Sequence, residues 1–274
     1  MKSTIKNSVW GFIAANRRSA PIEFVRRASR FFENAWHNES TDQKRNGELF
    51  VLDRLRGAGM RIVVDAGANR GEWSWAALES WPACQVHAFE VAPRTYESLA
   101  AALAPRFGER FLPRCEGLSQ SVGTATMYYH PEDDRLTSDM VRHRGDAVPF
   151  EARLTSLDDF CDRQSIEKID FLKIDVEGAE YKVMQGARRL IGQRAISCIQ
   201  FEYGAFSIQT RILLRDYFDL LQDGYFIGKI FPNYVDFGDY DWRSENFRFS
   251  NYLCVSRDRP DLVALVNGTV PAVR

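Results

Sequence analysis

The stretch Ile62-Val63-Val64-Asp65-Ala66-Gly67-Ala68-Asn69-Arg70-Gly71 decides the fold of this 274-residue chain. A short apolar strand leads into Asp65 and a turn with two glycines, and residues 72–78 then favour a helix. Glycine allows a tight turn and lets a ligand approach the backbone closely. The stretch therefore predicts a strand–loop–helix unit of the kind that binds nucleotide-like molecules.

The acid and the glycine spacing narrow the choice of ligand. Gly67 and Gly71 match neither the dinucleotide pattern G-x-G-x-x-G nor the P-loop, which disfavours an NAD-dependent oxidoreductase. The Asp65 carboxylate repels a pyrophosphate and favours an amine or a sulfonium. A second strand, residues 85–89, ends in Glu90, where an acid hydrogen-bonds ribose hydroxyls. These residues predict a nucleoside with a positively charged tail, a description that S-adenosylmethionine fits.

Three motifs resemble the FkbM family of S-adenosylmethionine-dependent methyltransferases. They are residues 64–71, residues 88–93, and residues 157–160 with 169–180 (Ile-Asp-Phe-Leu-Lys-Ile-Asp-Val-Glu-Gly-Ala-Glu) and Gly186-Ala187. The first would fit any class I methyltransferase, whereas the Lys-Ile-Asp-Val-Glu-Gly-Ala-Glu block is far more specific. The resemblance covers about residues 45 to 256. It implies a Rossmann-like sheet of seven strands and methyl transfer to oxygen, often on sugars of polysaccharides, glycolipids or natural products.

The order of elements predicts one large α/β domain. Strand and helix patterns alternate with short links, which favours a parallel sheet with helices on both faces. We expect a Rossmann-like three-layer αβα sandwich, with a seven-stranded, mostly parallel sheet whose last strand is antiparallel by the resemblance. Residues 125–130 and 151–154 are expected to add an antiparallel pair to this sheet, and one helix is expected over about 179–190. The predicted parts are an N-terminal helical extension (1–44), the methyltransferase domain (45–258) and a peripheral tail (259–274).

Residues 1–44 read as a basic amphipathic extension. Aromatic and aliphatic residues are interleaved with basic ones, and Pro21 is expected to separate two helices. Such a stretch can lie on an anionic membrane surface. The favoured alternative is an arm that packs on the domain or on a second subunit, so that a homodimer and a peripheral contact at the inner membrane face both stay open.

Composition excludes several other classes. The net charge of −1 argues against a nucleic-acid-binding polycation. The five scattered cysteines form no C-x-x-C pair, which argues against a disulfide framework or a zinc site. There is no apolar run of transmembrane length and no pattern of a secretory signal at the start of the sequence. These features predict a cytoplasmic protein.

Four acids fall where predicted strands end, at the edge where open α/β sheets bind ligands. They are Asp65, Glu90, Asp175 and Glu202. By analogy with the fold class, Asp65 and its loop hold the methionine part directly or through water, Glu90 binds the ribose, and the turn at 117–119 lies beside the adenine. The predicted cofactor-binding residues are Asp65, Gly67, Ala68, Asn69, Gly71, Glu90, Gly117, Leu118, Ser119 and Asp175.

Methyl transfer from a sulfonium to a hydroxyl is an in-line displacement that needs alignment and a proton acceptor. Alignment contributes roughly 7–11 kcal/mol and a positioned base roughly 10²–10⁴-fold. We predict Asp175, Glu177 and Glu202 as catalytic, with Asp175 or Glu177 as the base. The alternative is that Asp175 orients the loop and Glu177 caps the next helix. Glu180 is expected to be structural.

A metal ion and two histidines are further candidates. The three catalytic acids could hold Mg²⁺ as oxygen ligands, but no Asp-Asn pair of the metal-dependent catechol type follows the fifth strand, so a divalent metal is possible but not favoured. His130 and His143 are weaker candidates for the base because histidines in polar loops are mostly solvated.

The acceptor is expected to be a glycan or a small molecule. The acceptor pocket is expected at the polar loop 130–139 and at the segments 231–237 and 242–247. The last two mix aromatic and polar side chains, which suits a sugar but also suits a cover over the edge of the sheet. The predicted activity is O-methylation of a sugar hydroxyl of a polysaccharide, glycolipid or other glycoside. The alternatives are methylation of a natural-product hydroxyl or an amine, and an inactive methyltransferase-like domain that binds a partner.

Overall fold

The computed structural model describes residues 2–129 and 148–268, with side chains from Lys6 onward. The strands are β1 (Ile62–Ala66), β2 (Gln85–Phe89), β3 (Phe111–Arg114), β4 (Gly117–Leu118), β5 (Gly123–Tyr129), β6 (Val148–Thr155), β7 (Ile169–Ile174), β8 (Ile196–Tyr203), β9 (Tyr225–Phe231), β10 (Tyr234–Phe237) and β11 (Ser250–Ser256). The α-helices are α1 (Lys2–Ala15), α2 (Ala20–Trp36), α3 (Glu48–Arg54), α4 (Glu72–Ser80), α5 (Pro93–Phe107), α6 (Leu157–Gln164), α7 (Glu180–Gln185), α8 (Arg188–Gly192), α9 (Phe206–Thr210), α10 (Leu214–Leu221) and α11 (Pro260–Val266).

The main sheet confirms the predicted Rossmann-like fold. Its order is β10-β9-β11-β8-β7-β1-β2-β3, and neighbouring strands from β8 to β3 run parallel. The last strand, β11, lies between β8 and β9 and is antiparallel to both. The sheet has eight strands rather than the predicted seven, because Pro232 and Asn233 turn the chain back and β10 pairs with β9 as a hairpin.

The expected antiparallel pair forms, but not in the main sheet. β5 and β6 pair with each other over seven residues and, with β4, make a separate three-stranded sheet. β4 pairs in parallel with the end of β6, Gly117 opposite Leu154. The expectation that this pair extends the main sheet was therefore wrong, since the chain leaves that sheet after β3 and carries the pair to one side.

The helix expected over about 179–190 is two helices. A side chain at Gly186 would collide with the backbone carbonyl oxygen of Ser119, so the helix and β4 meet at a glycine. The Asp158 carboxylate then accepts hydrogen bonds from the backbone N–H groups of Arg189 (2.8 Å) and Leu190 (3.1 Å). This cap starts a new helix, because the first N–H groups of a helix lack partners within it.

Apolar side chains cover both faces of the main sheet. Successive residues of a strand point to opposite faces, so Val63 faces α3, α4, α5 and α11, whereas Val64 faces α6, α7, α8 and α10. Each face has its own buried cluster. The result is the predicted three-layer arrangement, which holds the carboxyl ends of β1, β2, β7 and β8 side by side.

Two helices precede this domain. α2 begins at Ala20 with Pro21 in its first turn, and α1 precedes it. In the part of the chain that the structure describes, we find no helix long and apolar enough to traverse a bilayer.

Candidate functional site

A crevice lies at the carboxyl ends of the parallel strands. It encloses about 740 Å³, counting its open mouth. Polar and small residues along it come from β4 and from the loops after β1, β2, β4 and β7, which carry most of the predicted site residues. Those predicted residues that line it are Gly67, Asn69, Glu90, Gly117, Leu118, Ser119, Asp175 and Glu177.

The loop after β1 is shaped by its glycines. Gly67 and Gly71 have φ of 82° and 83°, a backbone conformation that favours glycine. A Cβ atom at Gly67 would collide with the carbonyl oxygen of Asp175, so this glycine lets β1 and β7 end in contact. The backbone N–H groups of Gly67 and Ala68 donate to the carbonyl oxygen of Phe89 at 3.0 and 2.9 Å. Ala68 and Gly71 do not line the crevice and instead shape the turn after β1.

Asp65 lies beneath the loop rather than in the crevice. Its side chain is fully buried, and Oδ2 accepts a hydrogen bond from the Ser74 hydroxyl at 2.6 Å. Burial raises the pKa of this carboxyl, and nearby Lys173 opposes the rise. The structure thus leaves no direct contact from the Asp65 side chain to a ligand in the crevice, and favours a role in holding the loop.

Lys173 links the two acids at the ends of β1 and β7. Its Nζ lies 2.9 Å from Asp175 Oδ2 and 3.7 Å from Asp65 Oδ1, and its side chain is 4% exposed. Burial alone would lower the pKa of this amine, but the carboxylates of Asp175, Asp65 and Glu48 raise it above its ordinary value. We assigned Lys173 no role from the sequence, although it stands in the most specific motif; its burial was the missing information.

Glu90 lines the neighbouring part of the crevice. Its Oε2 accepts a hydrogen bond from the backbone N–H of Asn69 at 2.9 Å, and its Oε1 accepts one from that of Ala92 at 2.8 Å. These bonds fix the carboxylate at the carboxyl end of β2 and tie it to the loop after β1.

The wall around 117–119 is apolar. Leu118 is joined by Val91 from the loop after β2 and by three residues of the small sheet, Ala125, Met127 and Leu154. Those three were missed from the sequence because the pair β5–β6 was expected at the edge of the main sheet, far from the ligand. An apolar slot of this kind fits a flat aromatic ring.

Several acids gather where β7 and β8 end. Glu180 Oε1 accepts hydrogen bonds from the backbone N–H groups of Val176 and Gly178, both at 3.1 Å, and thereby holds the turn that carries Glu177. Glu177 has φ of 56°, within the left-handed region. Glu202 lies near the end of β8, one residue beyond the pair Ile174–Phe201, and therefore stands beside Asp175.

Two of these acids, Glu180 and Glu202, have raised pKa values. Burial raises the pKa of Glu180 to about 7. The pKa of Glu202 is raised well above its ordinary value by burial and then by the charges of Asp175, Glu180 and Glu177.

In the described ranges, no group of three or more His, Cys, Asp or Glu side chains is arranged to hold a metal ion. Asp175, Glu177 and Glu202 therefore give no support to the Mg²⁺ site considered from the sequence.

The segments expected at the acceptor have different positions. Residues 130–139 and His143 lie outside the described residues. Residues 231–237 form the β9–β10 hairpin at the edge of the sheet, where Phe231 stacks on Tyr234 with ring centroids 4.8 Å apart. Glu245, from the third segment, accepts hydrogen bonds from the hydroxyls of Tyr203 (2.7 Å) and Tyr240 (3.0 Å) and so braces the end of β8.

A second cleft adjoins the crevice. The two share Lys182, and the second is lined further by Gln120, Gly178, Tyr181, Gln185, Thr210 and Ile212. Its amide, hydroxyl and ammonium groups can hydrogen-bond a polar molecule next to the turn that carries Glu177.

The fold and the position of the crevice define a Rossmann-like α/β domain with its site at the carboxyl ends of the strands. Comparison with protein families then identifies the group: the methyltransferase FkbM domain matches residues 65–226. Since the match takes in more than half of the chain, the chain belongs to this family.

Two curated relatives are similar over part of their length. Methyltransferase sdnD of Sordaria araneosa is 35% identical, over 46% of this chain and 60% of that protein. 2-O-methyltransferase NoeI of Sinorhizobium fredii is 26% identical, over 58% of this chain and 70% of that protein. This chain thus spans less than two thirds of the Sordaria protein.

Solved structures are more distant. An O-methyltransferase from Bacillus cereus in complex with SAH has 10% identity and a TM-score of 0.43, covering 85% of this chain and 90% of the other. A precorrin-6y C5,15-methyltransferase from Geobacter metallireducens has 12% identity and a TM-score of 0.42, covering 76% and 86%.

Proposed function

We propose that the protein transfers a methyl group from S-adenosylmethionine to a hydroxyl group, most readily one on a sugar of a polysaccharide, glycolipid or other glycoside. The observation that carries the proposal is the charge of the crevice. Three carboxylates line it (Glu90, Asp175 and Glu177) against one ammonium group, that of Lys182. A phosphate-bearing cofactor would be repelled there, whereas a sulfonium is attracted.

The residues along the crevice fit the three parts of that molecule. The apolar slot formed by Leu118, Met127 and Leu154 accepts the faces of an adenine ring. Glu90, fixed by two backbone N–H groups, presents a carboxylate of the kind that accepts hydrogen bonds from ribose hydroxyls. Asp175 and the loop at Gly67 stand where the charged tail would lie. When bound, the cofactor supplies an electrophilic methyl group.

The acids after β7 and near the end of β8 supply the base. Lys173 is paired with Asp175 at 2.9 Å, which leaves Asp175 better suited to hold the cofactor than to take a proton. Glu202 stands beside Asp175 in the register of β7 against β8, and burial with its acidic neighbours raises its pKa, so it binds a proton more tightly than an exposed carboxylate does. We therefore assign proton uptake to Glu202 and the alignment of the acceptor hydroxyl to Glu177.

The second cleft suits the acceptor. It meets the crevice at Lys182 and beside the turn of Glu177 and Gly178, where an acceptor hydroxyl would have to arrive. Gln185 and Thr210 offer hydrogen-bonding groups to a polyhydroxylated molecule. The name of the relative NoeI, a 2-O-methyltransferase, supports oxygen as the atom that is methylated.

The test is transfer of a labelled methyl group from S-adenosylmethionine to a panel of glycans, glycolipids and amines. We expect turnover with a hydroxyl-bearing sugar. Glu202→Gln should lower kcat by about 10²–10⁴-fold, the usual contribution of a positioned base, with cofactor affinity little changed. Glu109→Gln, an exposed acid in the turn before β3, is the matched control and should keep full activity.

Transfer to amines alone would contradict the choice of oxygen. Cofactor binding without transfer to any acceptor in the panel would instead favour the inactive, partner-binding alternative. Full activity in Glu202→Gln would remove this residue as the base while leaving the reaction in place.

A further inference from the structure

The N-terminal helix α2 presents an apolar face that the rest of the described chain does not cover. None of its seventeen residues is buried. Phe24, Phe31 and Trp36 are 73%, 77% and 69% exposed, and Val25 and Phe32 are also largely exposed. At 3.6 residues per turn these five side chains fall within an arc of about 140° on one side of the helix. Within the described residues, the apolar side of α2 therefore does not pack on the domain.

The opposite side of α2 is charged and attached to the domain. Arg26, Arg27 and Arg30 lie on it. At its end the side chain of Asn34 accepts a hydrogen bond from Arg248 Nη1 at 3.1 Å, and Glu39, just past the helix, pairs with the same guanidinium at 3.0 Å. The helix is thus held by polar contacts at its C-terminal end while its apolar face points outward.

The charge of the arm differs from that of the domain. Residues 2–36 contain seven Lys and Arg and two Glu, a net charge of +5, whereas the whole chain has −1 and the remainder therefore −6. The excess is spread along the arm: α1 has a net charge of +2, Arg17 and Arg18 add +2 at the bend between the helices, and α2 has +1. α1 adds exposed apolar side chains just before that bend, among them Trp10 and Phe12, which are 74% and 61% exposed.

We propose that residues 2–36 form an amphipathic arm that binds the surface of an anionic lipid bilayer, with the apolar face of α2 in the interface and the basic groups among the headgroups. Aromatic residues on one side and arginines on the other are the composition of helices that lie in this plane. The charge of the arm favours this occupant over the arm of a second copy, since arms paired face to face would bring two segments of +5 together. An anionic surface neutralises that charge instead.

The experiment is sedimentation of the full chain with vesicles of phosphatidylglycerol and phosphatidylcholine, and with vesicles of phosphatidylcholine alone. We expect binding to the anionic vesicles and weaker binding to the neutral ones. Phe31→Asp with Phe32→Asp should lower the partition coefficient about a hundredfold or more, since burying each phenylalanine contributes strongly. Arg17→Gln with Arg18→Gln should lower it roughly fivefold for each charge removed.

Val122→Asp is the matched control, because Val122 is 63% exposed, lies outside the arm and receives the same substitution. It should bind as the wild type does. All variants should keep the melting temperature of the wild type, since none of the altered side chains is buried.

Three results would overturn the proposal. The first is failure of the wild type to bind anionic vesicles. The second is binding of Phe31→Asp with Phe32→Asp to these vesicles as tightly as the wild type binds them. The third is equal binding of the wild type to anionic and to neutral vesicles. Light scattering of the protein in solution, measured in parallel, detects a dimer in which a second copy of the chain covers the apolar face. A dimer that Phe31→Asp with Phe32→Asp dissociates, together with absent vesicle binding, would assign the face to a second copy. The readouts do not involve methyl transfer, so the proposal stands or falls separately from the proposed function.

Discussion

At the scale of single residues, the site depends on charges that are buried in pairs and clusters. Lys173 was visible in the sequence as part of the most specific motif, but its role depends on its burial between Asp175 and Asp65, and only the register of β1 against β7 places Asp65 opposite it. Asp65 shows the opposite case. Its position at a strand end predicted a ligand contact, whereas the structure buries its carboxylate against Ser74.

Removing the amine of Lys173 should destabilise the folded protein. Lys173→Met leaves the Asp65 carboxylate buried without its cation, and breaking such a pair costs about 3–5 kcal/mol of unfolding free energy. Lys168→Met, an exposed lysine just before β7, should change the unfolding free energy by less than about 0.5 kcal/mol. Urea unfolding of both variants measures the difference, and equal stability would contradict the role given to Lys173.

Glu180 should make stability depend on pH. Its pKa is raised by burial from 4.5 to about 7, so the folded protein binds this proton more tightly than the unfolded chain. The resulting stabilisation is fully present below about pH 4.5 and is lost as the pH rises to about 7.

The test compares wild type with Glu180→Gln, which keeps the oxygen that accepts from Val176 and Gly178 but does not titrate. Between pH 5 and pH 8, the unfolding free energy of the wild type should fall by up to about 3 kcal/mol more than that of the variant. Glu167→Gln, at an exposed acid, should follow the wild type. Parallel curves for Glu180→Gln and wild type would show that Glu180 titrates normally.

At the scale of elements, alternating patterns predicted most strands and helices, and the errors have local causes. Tertiary contacts determine where helices end and which sheet a strand joins, and sequence periodicity does not show them. Ser119 meets the helix at Gly186, and the Asp158 carboxylate caps the new helix there, so one expected helix became α7 and α8. The pairing of β5 with β6 followed from their alternation, but their separation from the main sheet depends on β4, a strand of two residues that no pattern would reveal.

The contact between the ends of β1 and β7 should tolerate no side chain at Gly67. Gly67→Ala forces a non-glycine residue to a φ of 82° and places its Cβ against the carbonyl oxygen of Asp175. The conformation alone costs roughly 1–2 kcal/mol, and the collision adds to it. Thermal unfolding should show a clear loss, together with weaker cofactor binding. Gly192→Ala, where the new Cβ meets open space, is the control and should be neutral; equal melting temperatures would contradict the close contact.

At the scale of the whole molecule, the sheet order brings the ends of β1, β2, β7 and β8 to one edge, and the family match covers the same region, residues 65–226. Sequence reasoning placed the acids on that edge because parallel strands with right-handed crossovers leave little choice. It could not place the wall formed by the small sheet or the exposure of α2, since both depend on how separate parts of the chain pack.

The central claim is that the acid-lined crevice binds an adenosyl sulfonium rather than a dinucleotide. Calorimetric titration of the purified protein with S-adenosylmethionine, S-adenosylhomocysteine and NAD tests it most directly. We expect both adenosyl compounds to bind, the sulfonium more tightly, and NAD not to bind. Glu90→Gln should weaken binding by about 10–100-fold, as expected when hydrogen bonds to a charged group are lost, while Glu97→Gln, at an exposed acid on α5, should leave it unchanged. Binding of NAD alone, or wild-type affinity in Glu90→Gln, would contradict the account.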